Sequence, residues 1–493
     1  MEPSGQNRQY QQRQYTTKQM RDTASGSDTV KRANQMYLPM PSGFAQVQTM
    51  NPGNTTSTGP LGDDSVPTTA APWYHPNPAY SAYLHRARFP DMVANTKRGL
   101  KGVATRKPPL VVLPPTIAYM EDLATQSGKK LTTLFGFCVS EVMLVGRVAL
   151  VADVRPDGTF YLATYTSETY IDWSYTVIDG ARVQNMAAFE TVSVDSAGTQ
   201  TRHQLKYILE QADPDAAWLC VAYRFTNGKQ DAIDGRTEVA IQGTPLTRLP
   251  VFNIGSEENT PEVPSVPLIG VADCALDLYR HSADLNQGHF MTCNPTLLFT
   301  GVHTDDAPTT IGSTVAIALS NKDADGKYLT PSADSFDHVL AYMETVFGEA
   351  VQYGASLLGP SKRAAESAEA LSMRQAASGA TLVDVVVNAG DGITAALEFI
   401  AVYSGANGEV EFTPNIEFAE LSLSAQDITA LVNGWMSGGF SHNTLLDNMA
   451  SAGRLGERTV EQELDLIEEA VPTLTPVTKT TAEEIVVAPE AEE

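Results

Sequence analysis

Cysteine is scarce, with four in 493 residues, and Cys138, Cys220, Cys274 and Cys293 stand too far apart to make a metal knuckle or a thioredoxin-like pair. They read as small buried hydrophobes of a reducing cytosol. A phosphate-cradling loop is also missing, because TQSGKKLTT (125–133) lacks the first glycine at the required spacing. Energy for any motor-like work must therefore come from another protein. There is no nucleophile elbow, no helical pair of zinc-protease histidines and no dinucleotide fingerprint after a strand, and the eight histidines are scattered. The expectation is a chain that is not an enzyme and uses no cofactor and no metal. The N-terminus, MEPSGQNRQYQQRQYTTKQ, lacks the apolar centre of a signal peptide. The most apolar stretch, Leu131 to Val154, is interrupted by Glu141, Arg147 and Asp153, which would be costly in lipid. It reads as a buried helix running into a strand of a protein that stays in the cytosol and has no membrane partner.

Acid is abundant. The net charge is −25, yet residues 1–110 hold thirteen Lys and Arg against six Asp and Glu, so the remainder carries −32. Tight, static nucleic-acid binding needs cations set against phosphates, and an acidic body disfavours it. A conduit through which a polyanion slides is compatible with it, since every firm phosphate contact must be broken at each step. An acidic surface that merely keeps the protein soluble fits equally well.

Periodicity divides the chain. Residues 1 to about 72 are rich in Gln, Ser, Thr, Gly and Pro, show no clear period and read as an arm or linker. Tyr80 to Lys107 has apolar residues at helical spacing and seven cations, and PPLVVLPP stops any helix there. Those cations face another subunit, nucleic acid or water. Leu131–Val145 reads as a buried helix, and 146–154 as a strand turning at Arg155 to Gly158. The segments FYLATY, ETYIDWSYTV, FETVSV, RHQLKYILE, AWLCVAYRF and TEVAIQG form a run of antiparallel strands. After the Pro-rich PEVPSVPLIG comes a helix with Leu276, Tyr279 and Ala283 on one stripe and Cys274, Leu278, His281 and Leu285 on another, a pattern that packs against two neighbours. A short β-like region (TLLFTGV, STVAIALS) and the turn NKDADGKY lead to a second helix near Ser332, with Phe336, Val339, Leu340, Met343, Val346, Phe347 and Val351 at spacings of three and four. Ala364 to Tyr403 is a long helix whose Gly379, Gly390 and Gly392 predict a bend. EVEFTPNIEFAE is strand-like. Three short helices follow, punctuated by Ser424 with Asp427, Ser441 and Gly453, and then a tail whose last 33 residues hold ten acids and one Lys.

Three weaker signals have bland alternatives. Asp323, Asp325 and Gly326 imitate part of a calcium loop but lack its closing Glu, so a plain turn suffices. His303 with Asp305 and Asp306 sits among loop-forming residues with no further ligand. Glu366, Glu369 and Arg374 lie at helical spacing and read as ion pairs rather than acid–base chemistry.

Taken in order, these segments resemble the portal (head-to-tail connector) proteins of tailed bacteriophages, from about Arg21 to Ala470. The likeness is carried by RDTASGSDTVKRANQMYLP, with Asp22, Gly26, Val30, Lys31 and Tyr37-Leu38-Pro39; by YSAYLHRARF and PPLVVLP; and by LTTLFGFCVSEVMLVGRVALVADV. It continues in YTSETYIDW, with Tyr165, Glu168, Ile171 and Trp173; in VPLIGVADCALDLYRHSADLNQGHF with Pro295 and Gly301; and in LLGPSKRAAESAEALSMRQAASGATL. The insertion from Met40 to Ala79 and the acidic tail depart from the family pattern. The resemblance implies an α+β ring subunit with a partly disordered N-terminal arm (1–79), a β-rich wing (80–268), stem helices (269–290 and 334–357) around a small α/β clip (291–333), and a tunnel loop (358–366). A long kinked helix with a wing strand (367–421), a helical crown (422–470) and the acidic tail (471–493) complete the order. It implies a dodecamer at the capsid vertex, assembled in the host cytoplasm, that conducts double-stranded DNA. Its expected partners are the terminase large subunit, capsid or scaffold protein, and head–tail adaptor or tail proteins. It places Lys362 and Arg363 in the tunnel loop against DNA, and Asp323, Asp325 and Lys327 in the clip that docks terminase and adaptor. A head–tail adaptor or minor capsid protein is the alternative.

Overall fold

The computed structural model describes residues 2–42, 44, 75, 77–178, 180–195, 198–213, 216–231, 235–241, 243–263, 265–293, 296–301, 323, 325–329, 334–355, 368–416, 418, 441, 444–446, 462 and 466. Residues 1–416 and 417–493 form two separate units.

The first unit is a mixed α+β body. Its N-terminal part contains α1 (Arg8–Ser25) and α2 (Ser27–Arg32), then α3 (Pro78–Arg86) and α4 (Met92–Ala104). After β1 (Leu110–Val112) comes α5 (Leu131–Val145), apolar on nearly every side and buried along its length. Gly146 ends α5 in the left-handed region at φ 84°. A Cβ there would lie 2.4 Å from Val263 Cγ1 and 2.7 Å from the Ser265 carbonyl, so glycine is required on two counts. The chain then enters β2 (Arg147–Val154), β3 (Phe160–Thr166), β4 (Tyr170–Ile178), β5 (Ala181–Val194), β6 (Gln200–Glu210) and β7 (Leu219–Thr226). Short strands follow: β8 (Lys229–Gln230), β9 (Arg236–Glu238), β10 (Ala240–Ile241), β11 (Thr244–Pro245) and β12 (Val251–Gly255). Strands β4 to β8 form one meander with β9 also on β7, and a second sheet has the order β12-β2-β3, with every strand pair antiparallel. TEVAIQG, expected as one strand, is split between β9 and β10.

The C-terminal half of the unit contains α6 (Ile269–Cys293), β13 (Thr296–Thr300), β14 (Asp325–Leu329), α7 (Asp334–Ala355), α8 (Ala368–Tyr403) and β15 (Glu411–Thr413), which pairs with β1. Helix α8 runs without interruption through Gly379, Gly390 and Gly392. The expected bend is replaced, at two of these glycines, by close approach: a Cβ at Gly392 would lie 2.5 Å from Ile254 Cγ1, and one at Gly390 2.7 Å from Pro414 Cδ. The stretch Thr381–Tyr403 is long and apolar enough to cross a membrane, with mean hydropathy 1.5. Leu382, Val385, Val386, Ile393, Leu397 and Ile400 are nevertheless buried, and Phe399 meets Phe252 of β12 with ring centroids 5.4 Å apart. Its apolarity is spent on the core.

Two further expectations are corrected. Residues 8–36, read as part of an aperiodic arm, are mostly helical, held by long-range polar bonds together with the buried apolar residues Met20 and Val30. Asn7 N–H donates to the Ile171 carbonyl at 2.9 Å, and the Gln19 amide to Asp273 Oδ1 at 2.6 Å. The helical pattern from Tyr80 to Lys107 is cut at Pro90, which cannot donate a helical hydrogen bond.

The three charges that interrupt the apolar stretch each have partners. Glu141 accepts a two-pronged bond from Arg21 of α1, at 2.5 and 2.9 Å, and Arg21 also bonds Glu168. Burial works against the Arg21 charge, but these bonds outweigh it and raise its pKa. Arg147 lies between the rings of Tyr170 and Trp173 and donates to the carbonyls of Pro261, Ser167 and Tyr170. Burial brings its pKa down to about 10. Asp153 accepts from the Tyr161 hydroxyl at 2.6 Å.

In the second unit, the Ser441 hydroxyl accepts from Thr444 N–H at 3.2 Å, which is the N-cap read from sequence. The caps expected at Ser424 and Gly453, and residues 467–493 of the tail, lie outside the described residues.

Candidate functional site

Helices α6 and α7 run antiparallel. Gly270 faces Tyr353, Asp277 accepts from the Tyr342 hydroxyl at 3.0 Å, and Gly288 faces Phe336. Between them Cys274 and Leu278 of α6 pack on Val346 and Ala350 of α7. The other stripe of α6, Ala275, Leu276, Tyr279 and Ala283, is buried against Val30, Tyr37, Leu38, Tyr80, Tyr83 and Leu84. Polar bonds lock that second face. Arg280 Nε donates to the Tyr37 carbonyl at 2.9 Å, Asn286 Nδ2 to the Arg86 carbonyl at 2.9 Å, and the Tyr83 hydroxyl to Asp284. Burial, then the bond to Asp284, push the Tyr83 pKa up. The two neighbours expected for these stripes are both supplied within one chain.

Helix α7 presents exposed apolar residues. Leu340 and Phe347 are 46% and 53% exposed, and this helix carries Asp334, Asp337, Glu344 and Glu349 with no Lys or Arg. Across α6 and α7 together there are seven acids and one arginine.

Strands β13 and β14 pair from Thr296 with Leu329 to Thr300 with Asp325, at the end of this helix pair. The turn expected at NKDADGKY is shorter than the sequence suggested, because Asp325, Gly326, Lys327 and Tyr328 are strand residues. Asp325 and Lys327 alternate with Gly326 and Tyr328 across the ribbon, and all four are exposed, as is Asp323. The Phe299 ring lies over Gly326, where a Cβ would be 2.9 Å away. Asp323, Asp325 and Lys327 are thus together on one exposed hairpin. Lys362 and Arg363 lie outside the described residues, as do residues 302–322 with His303, Asp305 and Asp306, and Glu366. Glu369 and Arg374 fall on α8. Among the described residues no group of three or more His, Cys, Asp or Glu could hold a metal ion.

The periodicity did not reveal a cationic groove of about 700 Å³ beside α6. Lys31, Arg86 and Arg88 line it together with Asn286, His289 and Phe290, and among the described residues no carboxylate does. Arg86 stacks over the Phe290 ring at 3.7 Å and donates to Gln287 Oε1 at 2.7 Å. The usable signal was the run of cations from Tyr80 to Lys107, two of which belong here.

Residues 267–404, from the start of α6 to the end of α8, match the family described as Domain of unknown function (DUF4055). No curated protein matches the chain. Among solved structures, the chain is similar to one described as the neck of a native GTA particle computed with C12 symmetry. The TM-score is 0.37 at 12% identity, over 72% of this chain and 88% of that one.

Proposed function

We propose that this chain is a phage portal subunit, one copy of a ring that forms the DNA channel at the capsid vertex. The observation that supports this best is the acidic helix–hairpin–helix unit of α6, β13, β14 and α7, which follows the stem–clip–stem order implied by the sequence resemblance. Acidic walls suit the task. They repel phosphates and leave few firm contacts to break as a duplex slides.

In this reading the β-rich body is wing, α6 and α7 are stem, and the β13–β14 hairpin is clip. Asp323, Asp325 and Lys327 face the terminase motor during packaging and the adaptor or tail afterwards. The subunit does no chemistry of its own in this reading, and the purified protein is expected to show no nucleotide hydrolysis above buffer. Lys362 and Arg363 form a cationic collar in the tunnel loop. Replacing both with Ala leaves rings intact and lowers packaged or retained DNA, and unchanged genome content in such particles removes that assignment. The direct test of the reading is negative-stain electron microscopy of the purified chain, with class averages viewed down the ring axis. A ring with a channel wide enough for duplex DNA supports a portal. Compact monomers at every concentration overturn it in favour of an adaptor or other virion protein.

A further inference from the structure

Two surfaces flanking α6 are opposite in charge, and each exposes apolar residues. On one side, the outward face of α7 presents Asp337 and Glu344, with Leu340 and Phe347 exposed beside them. On the other, the groove lined by Lys31, Arg86, Arg88, His289 and Phe290 holds cations and a 43%-exposed aromatic ring, with no acid among the described residues of its wall. At about 100° per residue, the α7-facing residues of α6, Cys274 and Leu278, lie roughly a third of a turn from the groove-lining Asn286 and Phe290. The two surfaces also match in level. Phe336 of α7 lies against Gly288 and His289 of α6, so Asp337 and Leu340 stand beside the same turns of α6 that floor the groove. The field inside the groove is positive enough to act on a neighbour: His85 is held below its ordinary pKa, by burial first and then by Lys31 and Arg86.

We infer that the α7 face carrying Asp337, Leu340, Glu344 and Phe347 docks into the Lys31–Arg86–Arg88 groove of a second copy of this chain. This rests on the ring reading above and names the contact that closes the ring. A contact between two different patches of identical subunits propagates head to tail, and it ends only when the rotation closes. Like-charged contacts in any shifted register are costly, so the charge pattern also fixes which patch meets which.

The test is a charge swap in the full chain. Arg88 is exposed, and its hydrogen bonds to Ser282 use only its backbone, so Arg88→Glu leaves the fold intact. The Asp337→Lys, Glu344→Lys pair alters two exposed positions of α7 and gives an independent arm should Arg88→Glu misfold. Each change alone raises the concentration needed for half-maximal ring formation by about tenfold or more, read by mass photometry at fixed ionic strength, and combining them recovers most of the loss. Rings that form equally well in wild type and both variants overturn this interface while leaving the ring reading in place. A wild-type chain that never forms rings overturns both. Intact rings, with DNA binding lost on Arg88→Glu, would assign the groove to nucleic acid and also overturn the inference.

Discussion

Glu141 lies in the middle of the most apolar helix, where an unpaired carboxylate would cost several kcal/mol, and Arg21 reaches it from 120 residues earlier in the chain. Replacing Arg21 with Met leaves Glu141 buried without its partner and lowers the unfolding free energy by about 3 kcal/mol, measured by urea titration. Glu168 makes the same junction sensitive to pH. Burial raises its pKa, but the bond from Arg21 outweighs this and holds it below its ordinary 4.5. The folded-state pKa is depressed, so the stabilisation is complete above pH 4.5 and is lost as pH falls through the folded value. Glu168→Gln therefore gives a shallower loss of stability on acidification than wild type. Asp22 accepts from the buried Tyr37 hydroxyl at 2.8 Å, and Val30, Tyr37 and Leu38 are core residues. In this stretch the residues that carry the family resemblance are those that hold the N-terminal helices to α6.

Among the elements, α8 depends most on what is missing from its side chains. Gly392→Ala and Gly390→Ala place a methyl group against Ile254 and Pro414. Each is expected to lower the melting free energy by about 1–2 kcal/mol, although alanine gains roughly 1 kcal/mol in a helix. A melting temperature at or above wild type would show that Ile254 and Pro414 move aside. This helix also shows where sequence reading reaches its limit. Length and period were legible: α5 coincides with the residues read from sequence, and the boundaries of α6 and α7 lie close to those expected. What a glycine is for was not legible, because a bend and a close approach leave the same mark in one dimension. Helices α1 and α2 were missed for a related reason. Helix α1 is tied down by bonds to Ile171, Glu141, Glu168 and Asp273 and α2 by Val30 in the core beside α6, and no local period encodes partners so distant. The β13–β14 pair was half legible, since its first strand is apolar while its second, DGKYL, is composed like a turn.

At the scale of the whole molecule, the cysteines give a readout of assembly. Cys138, Cys220 and Cys274 are buried, while Cys293 is exposed at the edge of the cationic groove. Burial also pushes the Cys138 and Cys220 thiols up, the latter to about 12. A maleimide should therefore label Cys293 quickly in dispersed subunits and at least about tenfold more slowly in rings, where the neighbouring copy covers it. Equal labelling rates in both states would place the subunit contact elsewhere. The same groove has a history within each molecule. Its walls come from residues 27–31, 85–89 and 286–293, and Gln19 of α1 bonds Asp273 of α6 across 254 residues of sequence. A ribosome adding about 5–20 residues per second needs roughly 10–50 s to cover that distance. Throughout that interval the N-terminal helices have no α6 to pack on, and a nascent chain has no groove to offer a sister still being translated. Competence to associate thus arrives late in synthesis, after the partner surfaces within the chain have met.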